Sequence, residues 1–177
     1  LPAATPLRAA LIEEQLRSGK PDAALTIAQT GAAIKNAPAD ALALLASTYE
    51  RLGKTELAAD SYRNLASSYP QRADWRLKLA GLELGAGRKT EAITQLRSLM
   101  ADRPFDSAAY IALAELMAED NPQEALSIAR DLGQRAQHKQ TALLLEGDLL
   151  ARSGKTAEAH KQYAAAAKAG ADPAASL

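Results

Sequence analysis

Gly-Lys-Thr occurs at Gly53–Thr55 and Gly154–Thr156, with a near copy, Gly-Arg-Lys-Thr, at 87–90. In a phosphate-binding loop this triplet needs a glycine five residues upstream and a strand leading in, so that backbone N–H groups cradle the phosphates. Thr48 and Leu149 stand where that glycine must be, Arg88 splits the third copy, and every copy follows a helical pattern. These triplets read as helix punctuation. The two histidines, His138 and His160, belong to no His-Glu-x-x-His motif and read as surface residues. Glu115 and Glu119 lie one helical turn apart without an acid–base partner or oxyanion donor, so they read as a solvated face or a partner contact. The chain has no cysteine, hence no thiolate ligand, thiol nucleophile or disulfide. No enzymatic activity, cofactor or metal is expected.

The elements that hold these residues are helices. The 177 residues carry 42 alanines and 27 leucines against six isoleucines and no valine. Alanine and leucine lose little side-chain entropy in a helix, whereas strands favour β-branched and aromatic residues. With aromatics at 4%, the fold class is all-α. Lys+Arg and Asp+Glu are equal at 21 each and interspersed, which offers no phosphate-tracking surface for nucleic acid. No apolar run is long enough to span a membrane. Residues 1–4 carry no signal-peptide pattern.

Gly19, Gly53 and Gly87 are spaced by 34 residues, Asn121 follows after 34 more and Gly154 after 33. Pro38, Pro70, Pro104 and Pro173 punctuate the other end of the unit. A glycine after an apolar-periodic run supplies a left-handed helix stop. A Thr or Pro two residues later starts the next helix as N-cap or first-turn residue, with Glu56, Glu91 and Glu158 at its positive end. The spacing predicts first helices near 6–18, 39–52, 73–86, 107–119 and 140–153. Second helices follow near 22–36, 55–69, 89–102, 122–135 and 156–169.

Residues 39–72 place Leu42, Leu45, Ala46, Tyr49, Gly53, Ala58, Tyr62, Leu65, Ala66 and Pro70 at the marker positions of a 34-residue unit. The same markers recur in 73–106 (Leu79, Ala80, Gly87, Ala92, Leu96, Pro104) and in 140–173 (Leu143, Gly147, Gly154, Ala159, Tyr163, Ala166). Units 5–38 (Leu11, Gly19, Ala24, Ala28) and 107–139 (Tyr110, Leu113, Ala114, Ala125, Ala129) complete the series. This pattern resembles the tetratricopeptide repeat family. The resemblance implies one right-handed superhelical solenoid of about five helix–turn–helix repeats over residues 1–177, with a concave binding groove. Only Ala171–Leu177 follow the fifth unit, where such arrays carry a polar capping helix, so the chain is expected to be a segment of a longer protein.

In this family the ligand lies along positions 2, 5, 9 and 12 or 13 of each first helix. Carried onto this sequence, the resemblance nominates Ala9, Glu13 and Leu16, then Ala43, Ser47, Glu50 and Arg51. It adds Leu77, Gly81 and Leu84, then Ile111, Glu115 and Glu119, and finally Leu144, Asp148 and Arg152. The Lys and Asn by which chaperone-cofactor members hold a C-terminal carboxylate are missing from positions 5 and 9. The polar code of the related RNA-reading repeats is missing too. Trp75, beside Arg76, either packs between the second and third repeats or stands as an exposed binding anchor.

An apolar floor with carboxylates at Glu13, Glu50, Glu115 and Asp148 fits an amphipathic helix or extended segment carrying Lys or Arg. The expected function is a non-enzymatic protein-binding scaffold. The alternative is a structural spacer or self-associating solenoid segment, marked by exposed apolar rows on the end helices. The Ala-rich, cysteine-free style is similar to solenoids of bacterial envelope proteins of exopolysaccharide export or protein sorting. It favours the periplasm over the cytoplasm. Charge reversal of Glu13, Glu50 and Glu115 to Lys is expected to abolish partner capture in a pull-down while circular dichroism keeps its helical signal.

Overall fold

The structure is a computed structural model that describes residues 4–170. Among these residues are α1 (Ala4–Arg17), α2 (Pro21–Ala32), α3 (Ala39–Arg51), α4 (Thr55–Ser68) and α5 (Ala73–Gly85). Then follow α6 (Lys89–Asp102), α7 (Ser107–Met117), α8 (Pro122–Gly133), a 3-10 turn at Ala136–His138, α9 (Lys139–Arg152) and α10 (Thr156–Gly170). No strand occurs among the described residues. The expected Pro173 punctuation and the tail Ala171–Leu177 lie outside them. The chain forms two compact units that divide inside α6, one up to Ala92 and one from Ile93. In the N-terminal unit α1 packs on α2, α2 on α3, α3 on α4 and α4 on α5, and α1 also meets α3. In the C-terminal unit α7 packs on α8, α8 on α9 and α9 on α10.

The tight turns arise as their glycines require. Gly19, Gly53, Gly87 and Gly154 all have φ between 67° and 77°. At Gly53 this left-handed residue lets the Lys54 N–H donate back to the Tyr49 carbonyl at 2.9 Å, satisfying a carbonyl that the helix end would leave orphaned. The same bond recurs from Lys20 to Gln15, Arg88 to Glu83 and Lys155 to Leu150. Asn121 departs from this pattern. Its φ is −143°, because Pro122 holds the residue before it in extended backbone. Instead of stopping α7, Asn121 caps α8: its side-chain oxygen accepts from the Glu124 N–H at 3.2 Å, and its amide donates to the Glu124 carboxylate at 2.9 Å. Thr55 and Thr156 are first-turn residues, not N-caps.

Helix bounds fall within two residues of the sequence expectation except at the end of α2. There the helix stops at Ala32, and Asn36 takes φ 58° ahead of Pro38. An asparagine tolerates that conformation better than other non-glycine residues.

Small residues set how closely the helices meet. The alanines at position 20 of the five repeats, Ala24, Ala58, Ala92, Ala125 and Ala159, are all at most 1% exposed. At position 8 of the fifth repeat, a Cβ on Gly147 would stand 2.4 Å from the Tyr163 ring. Where α4 meets α5, Ala46, Ala59, Tyr62, Leu65, Trp75 and Leu79 form one buried cluster. Trp75 sits there in edge-to-face contact with Tyr69, ring centroids 5.5 Å apart, and under the Arg72 guanidinium at 4.2 Å.

Beside this cluster Glu83 is buried. It accepts from Arg63 at 2.6 Å and from the Arg88 Nε, and Arg88 also reaches Glu56 at 2.7 Å. Burial pushes the Glu83 carboxyl up, but the hydrogen bonds and charges of Arg88 and Arg63 outweigh it and hold the group below the usual carboxylate range.

Two outcomes follow. Gly53→Val meets open space at its Cβ, so the left-handed backbone sets its cost, about 1–2 kcal/mol, read as a lower urea midpoint; Gly53→Asn should lose much less. Glu83 binds its proton more weakly when folded than when unfolded, so its contribution is complete above the ordinary glutamate pKa of about 4.3 and is lost as pH falls through the lower folded value. Glu83→Gln should flatten that acid limb and cost about 2 kcal/mol at neutral pH.

Candidate protein-binding face

In the N-terminal unit the first helices α1, α3 and α5 surround a hollow of about 610 Å³. Its walls include Thr5, Ala43, Leu44, Ser47, Leu77 and Lys78, with Asp40 and Asp74, and the buried Tyr62 and Trp75. The structure therefore brings together Ala43, Ser47, Leu77 and Trp75 of the nominated residues. Ala9 lines a neighbouring hollow of about 250 Å³ with Thr5, Pro6, Pro38 and Asp40. Gly81 is exposed with open space around the position of a Cβ, and Leu84 is exposed as well. Leu16 is taken up elsewhere, half-buried against Ile12, Ala24 and Ala28 between α1 and α2. Trp75 is not an exposed anchor: at 3% exposure it packs between the second and third repeats, because Tyr69 and Arg72 cover its ring.

The nominated carboxylates of this unit, Glu13 and Glu50, are paired within it, which corrects the expectation of an acidic groove here. Glu13 is ion-paired with Arg51. Glu50 accepts from the Lys78 ammonium at 3.2 Å and from the Tyr62 hydroxyl at 3.4 Å. Burial first, and then the Glu50 charge, push the Tyr62 hydroxyl well above the tyrosine range. Arg72 grips Asp74 through Nε and Nη2 at 3.0 and 2.9 Å and reaches Asp40 at 3.3 Å. These hydrogen bonds hold Asp74 below the usual carboxylate range. The partners come from the adjacent repeat, so two elements of unlike register cancel what one helix presents. Lysine at Glu13 would face Arg51, and lysine at Glu50 would face Lys78, so reversing either does more than alter an outward charge.

In the C-terminal unit the acidic character remains. Ile111 is half-buried on α7, while Glu115 and Glu119 are exposed with no side-chain ion pair or hydrogen bond among the described residues. On α9, Leu144, Asp148 and Arg152 are exposed. Asp148 accepts from the Tyr163 hydroxyl at 2.8 Å, and that hydrogen bond raises the hydroxyl's pKa. Glu119 and Arg152 share a hollow of about 820 Å³ with Ala118, Pro122 and Ser153.

Of the histidines, His160 is exposed, and His138 is half-buried with Nε2 2.8 Å from the Phe105 carbonyl, which can only accept, so that nitrogen carries the proton. Among the described residues no three His, Asp or Glu side chains form a group that could hold a metal ion.

Asp40, Asp74, Tyr62 and Lys78 were missed as wall residues. Asp40 and Asp74 hold position 2 of their repeats, a register that already marks the binding face. Tyr62 and Lys78 carry no such signal, because they reach the hollow from the second helix and from position 6.

The tetratricopeptide repeat family profile matches residues 9–73 and again 44–107, together more than half of the chain. No curated protein matches the sequence. Among solved structures the chain is similar to MamA (residues 41 to the end) from Desulfovibrio magneticus RS-1, with TM-score 0.64 and 16% identity over 93% of this chain and 94% of that one. It is also similar to Pseudomonas aeruginosa pilF, with TM-score 0.67 and 20% identity over 94% and 77%. A third is a putative kinesin light chain with TPR-like repeats from Podosopora anserina, with TM-score 0.69 and 15% identity over 97% of both chains. At these identities the likeness establishes the fold, an all-α array of helix–turn–helix repeats. The left-handed glycine of four turns, the buried alanine of position 20 in five repeats and the profile match agree: the chain belongs to the tetratricopeptide repeat family.

Proposed function

We propose that this chain is a non-enzymatic binding module that takes a segment of a partner protein on the face of its first helices. Tetratricopeptide repeats commonly mediate protein–protein interaction. The observation that carries the reading here is the 610 Å³ hollow walled by Ala43, Leu44, Ser47 and Leu77 in the N-terminal unit. Its charged neighbours are already paired, so it suits an apolar side chain. The unpaired Glu115 and Glu119 with Asp148 suit Lys or Arg of a partner on the C-terminal unit. The setting we propose is the bacterial envelope, supported by the Ala-rich, cysteine-free style of the repeats. A structural spacer is the second reading, and the exposed Leu7 and Leu11 of α1 favour it.

The test is a pull-down from bacterial lysate read by mass spectrometry, using the chain beside two variants. Ser47→Phe fills the hollow; Glu115→Lys with Glu119→Lys reverses the unpaired charges without touching an internal ion pair. A partner held by the native chain and lost from Ser47→Phe supports the module, and its further loss from the charge variant assigns the basic contacts. Equal capture by all three proteins overturns the first-helix reading.

A further inference from the structure

Two equivalent helix pairs differ in what fills them. Between α3 and α4 of the second repeat lies a hollow of about 240 Å³, with Leu42, Leu45, Leu65 and Tyr69 in its walls and Asn64 and Ser68 beside them. It shares no lining residue with the first-helix hollow, and no charged side chain lines it. Leu65 is buried, Leu42, Leu45 and Tyr69 are half-buried, and Asn64 and Ser68 are exposed, so an apolar floor opens to a polar mouth. The Asn64 amide and the Ser68 hydroxyl make no side-chain hydrogen bond among the described residues.

In the fourth repeat the same positions are filled. Position 4, Leu42 in the second repeat, is Tyr110. Counted from the buried alanines Ala58 and Ala125, Ser68 corresponds to Arg135 and Asn64 to Asp131. Arg135 donates through Nη2 to the Tyr110 hydroxyl at 2.6 Å, and its guanidinium lies over the ring at 4.7 Å. Asp131 pairs with Arg135 at 3.5 Å. Tyr110 is buried, as are Leu113, Ile128 and Leu132, the equivalents of Leu45, Ser61 and Leu65. The first repeat also has a long side chain at position 4, Arg8, whose Cδ stands 2.9 Å from where a Cβ on Gly31 of α2 would be. In the second repeat a leucine and a serine stand where the fourth has a phenol and a guanidinium, and the hollow is the volume they give up. An apolar cavity of about 150 Å³ accepts benzene, so this one holds a single ring with a small substituent.

We infer that the hollow between α3 and α4 is a binding site for a neutral phenol ring. The ring lies on the apolar floor as Tyr110 does in the fourth repeat. Its hydroxyl meets Asn64 and Ser68, whose amide and hydroxyl both donate and accept. A charged ring substituent would lose water there without gaining an ionic partner, so the ligand is uncharged. The inference rests on one helix pair and is independent of the partner-binding face proposed above.

The probe is p-cresol, titrated into the full chain labelled with nitrogen-15 and followed by amide chemical shifts. Saturable changes centred on residues 42–45 and 61–69 are expected. They should weaken at least about tenfold in Leu42→Tyr with Ser68→Arg, which transplants the filling of the fourth repeat. Ser61→Ile, which narrows the hollow with the fourth repeat's own residue, should weaken binding as well and serves if the double variant fails to fold. Charged p-toluate should bind at least about tenfold more weakly than p-cresol. N-acetyltyrosinamide binding as well as p-cresol assigns the ring to a tyrosine side chain, and p-cresol binding alone assigns it to a free phenolic compound. Shifts that do not saturate or that scatter over the chain overturn the inference, as does equal binding by the folded filled variants.

Discussion

The structure depends on close approach between paired helices, and that approach depends on residues with almost no side chain. A larger group at position 20 would hold two helices apart, and every contact flanking it would loosen. The alanines there are at most 1% exposed in all five repeats, which means that each is in contact on every side. Interiors are packed too densely to absorb an added methylene without displacement. Gly147 carries this furthest, leaving the space that the Tyr163 ring occupies. Once the pairs are closed, the larger residues, such as Trp75 and Leu79, have nowhere to go but the seam between one repeat and the next. The hollow on the first-helix face is bounded by that seam.

Ion pairs follow the seams as well. Arg63 and Arg88 converge on the buried Glu83, Arg130 meets the nearly buried Glu146, and Arg72 bridges Asp40 and Asp74 across two repeats. A buried carboxylate without such partners would be driven to protonate, so these arginines decide whether the seam can hold a charge. The exposed pairs of the first-helix face, such as Glu13–Arg51, contribute little stability. Their consequence is electrostatic: they remove from the N-terminal unit the negative field that its glutamates would otherwise present. In the C-terminal unit Glu115 and Glu119 form no ion pair among the described residues, although Arg152 lines the same hollow as Glu119. Two stretches of similar composition therefore present different chemistry to a partner.

The helices and their turns were legible in the sequence because their causes are local. A glycine every 34 residues, an alanine-and-leucine vocabulary and prolines at the repeat joints determine where helices stop and start, and the four left-handed glycines fall on the spacing that marks them. Asn121 stands on the same spacing as the glycines but plays another part, for a local reason too. Period alone makes it a helix stop, but the adjacent Pro122 restricts its backbone, and it caps the following helix instead. Which residues share a first-helix face was legible through the repeat register, as Ala43, Ser47 and Leu77 around one hollow illustrate.

Tertiary structure alone decided what surrounds each of those residues. Burial of Trp75 depends on Tyr69 and Arg72 closing over it, and neutralisation of Glu50 depends on Lys78, 28 residues away. Leu16 turned inward because α2 offered it Ala24 and Ala28. Exposure of Leu7 and Leu11 is equally a matter of neighbours, since the same positions downstream are covered by a preceding helix. Sequence by itself determined secondary structure, repeat register and family, because backbone preference and periodicity act over a few residues. Burial and net local charge were decided only by packing, because both are properties of a side chain's surroundings and not of the side chain.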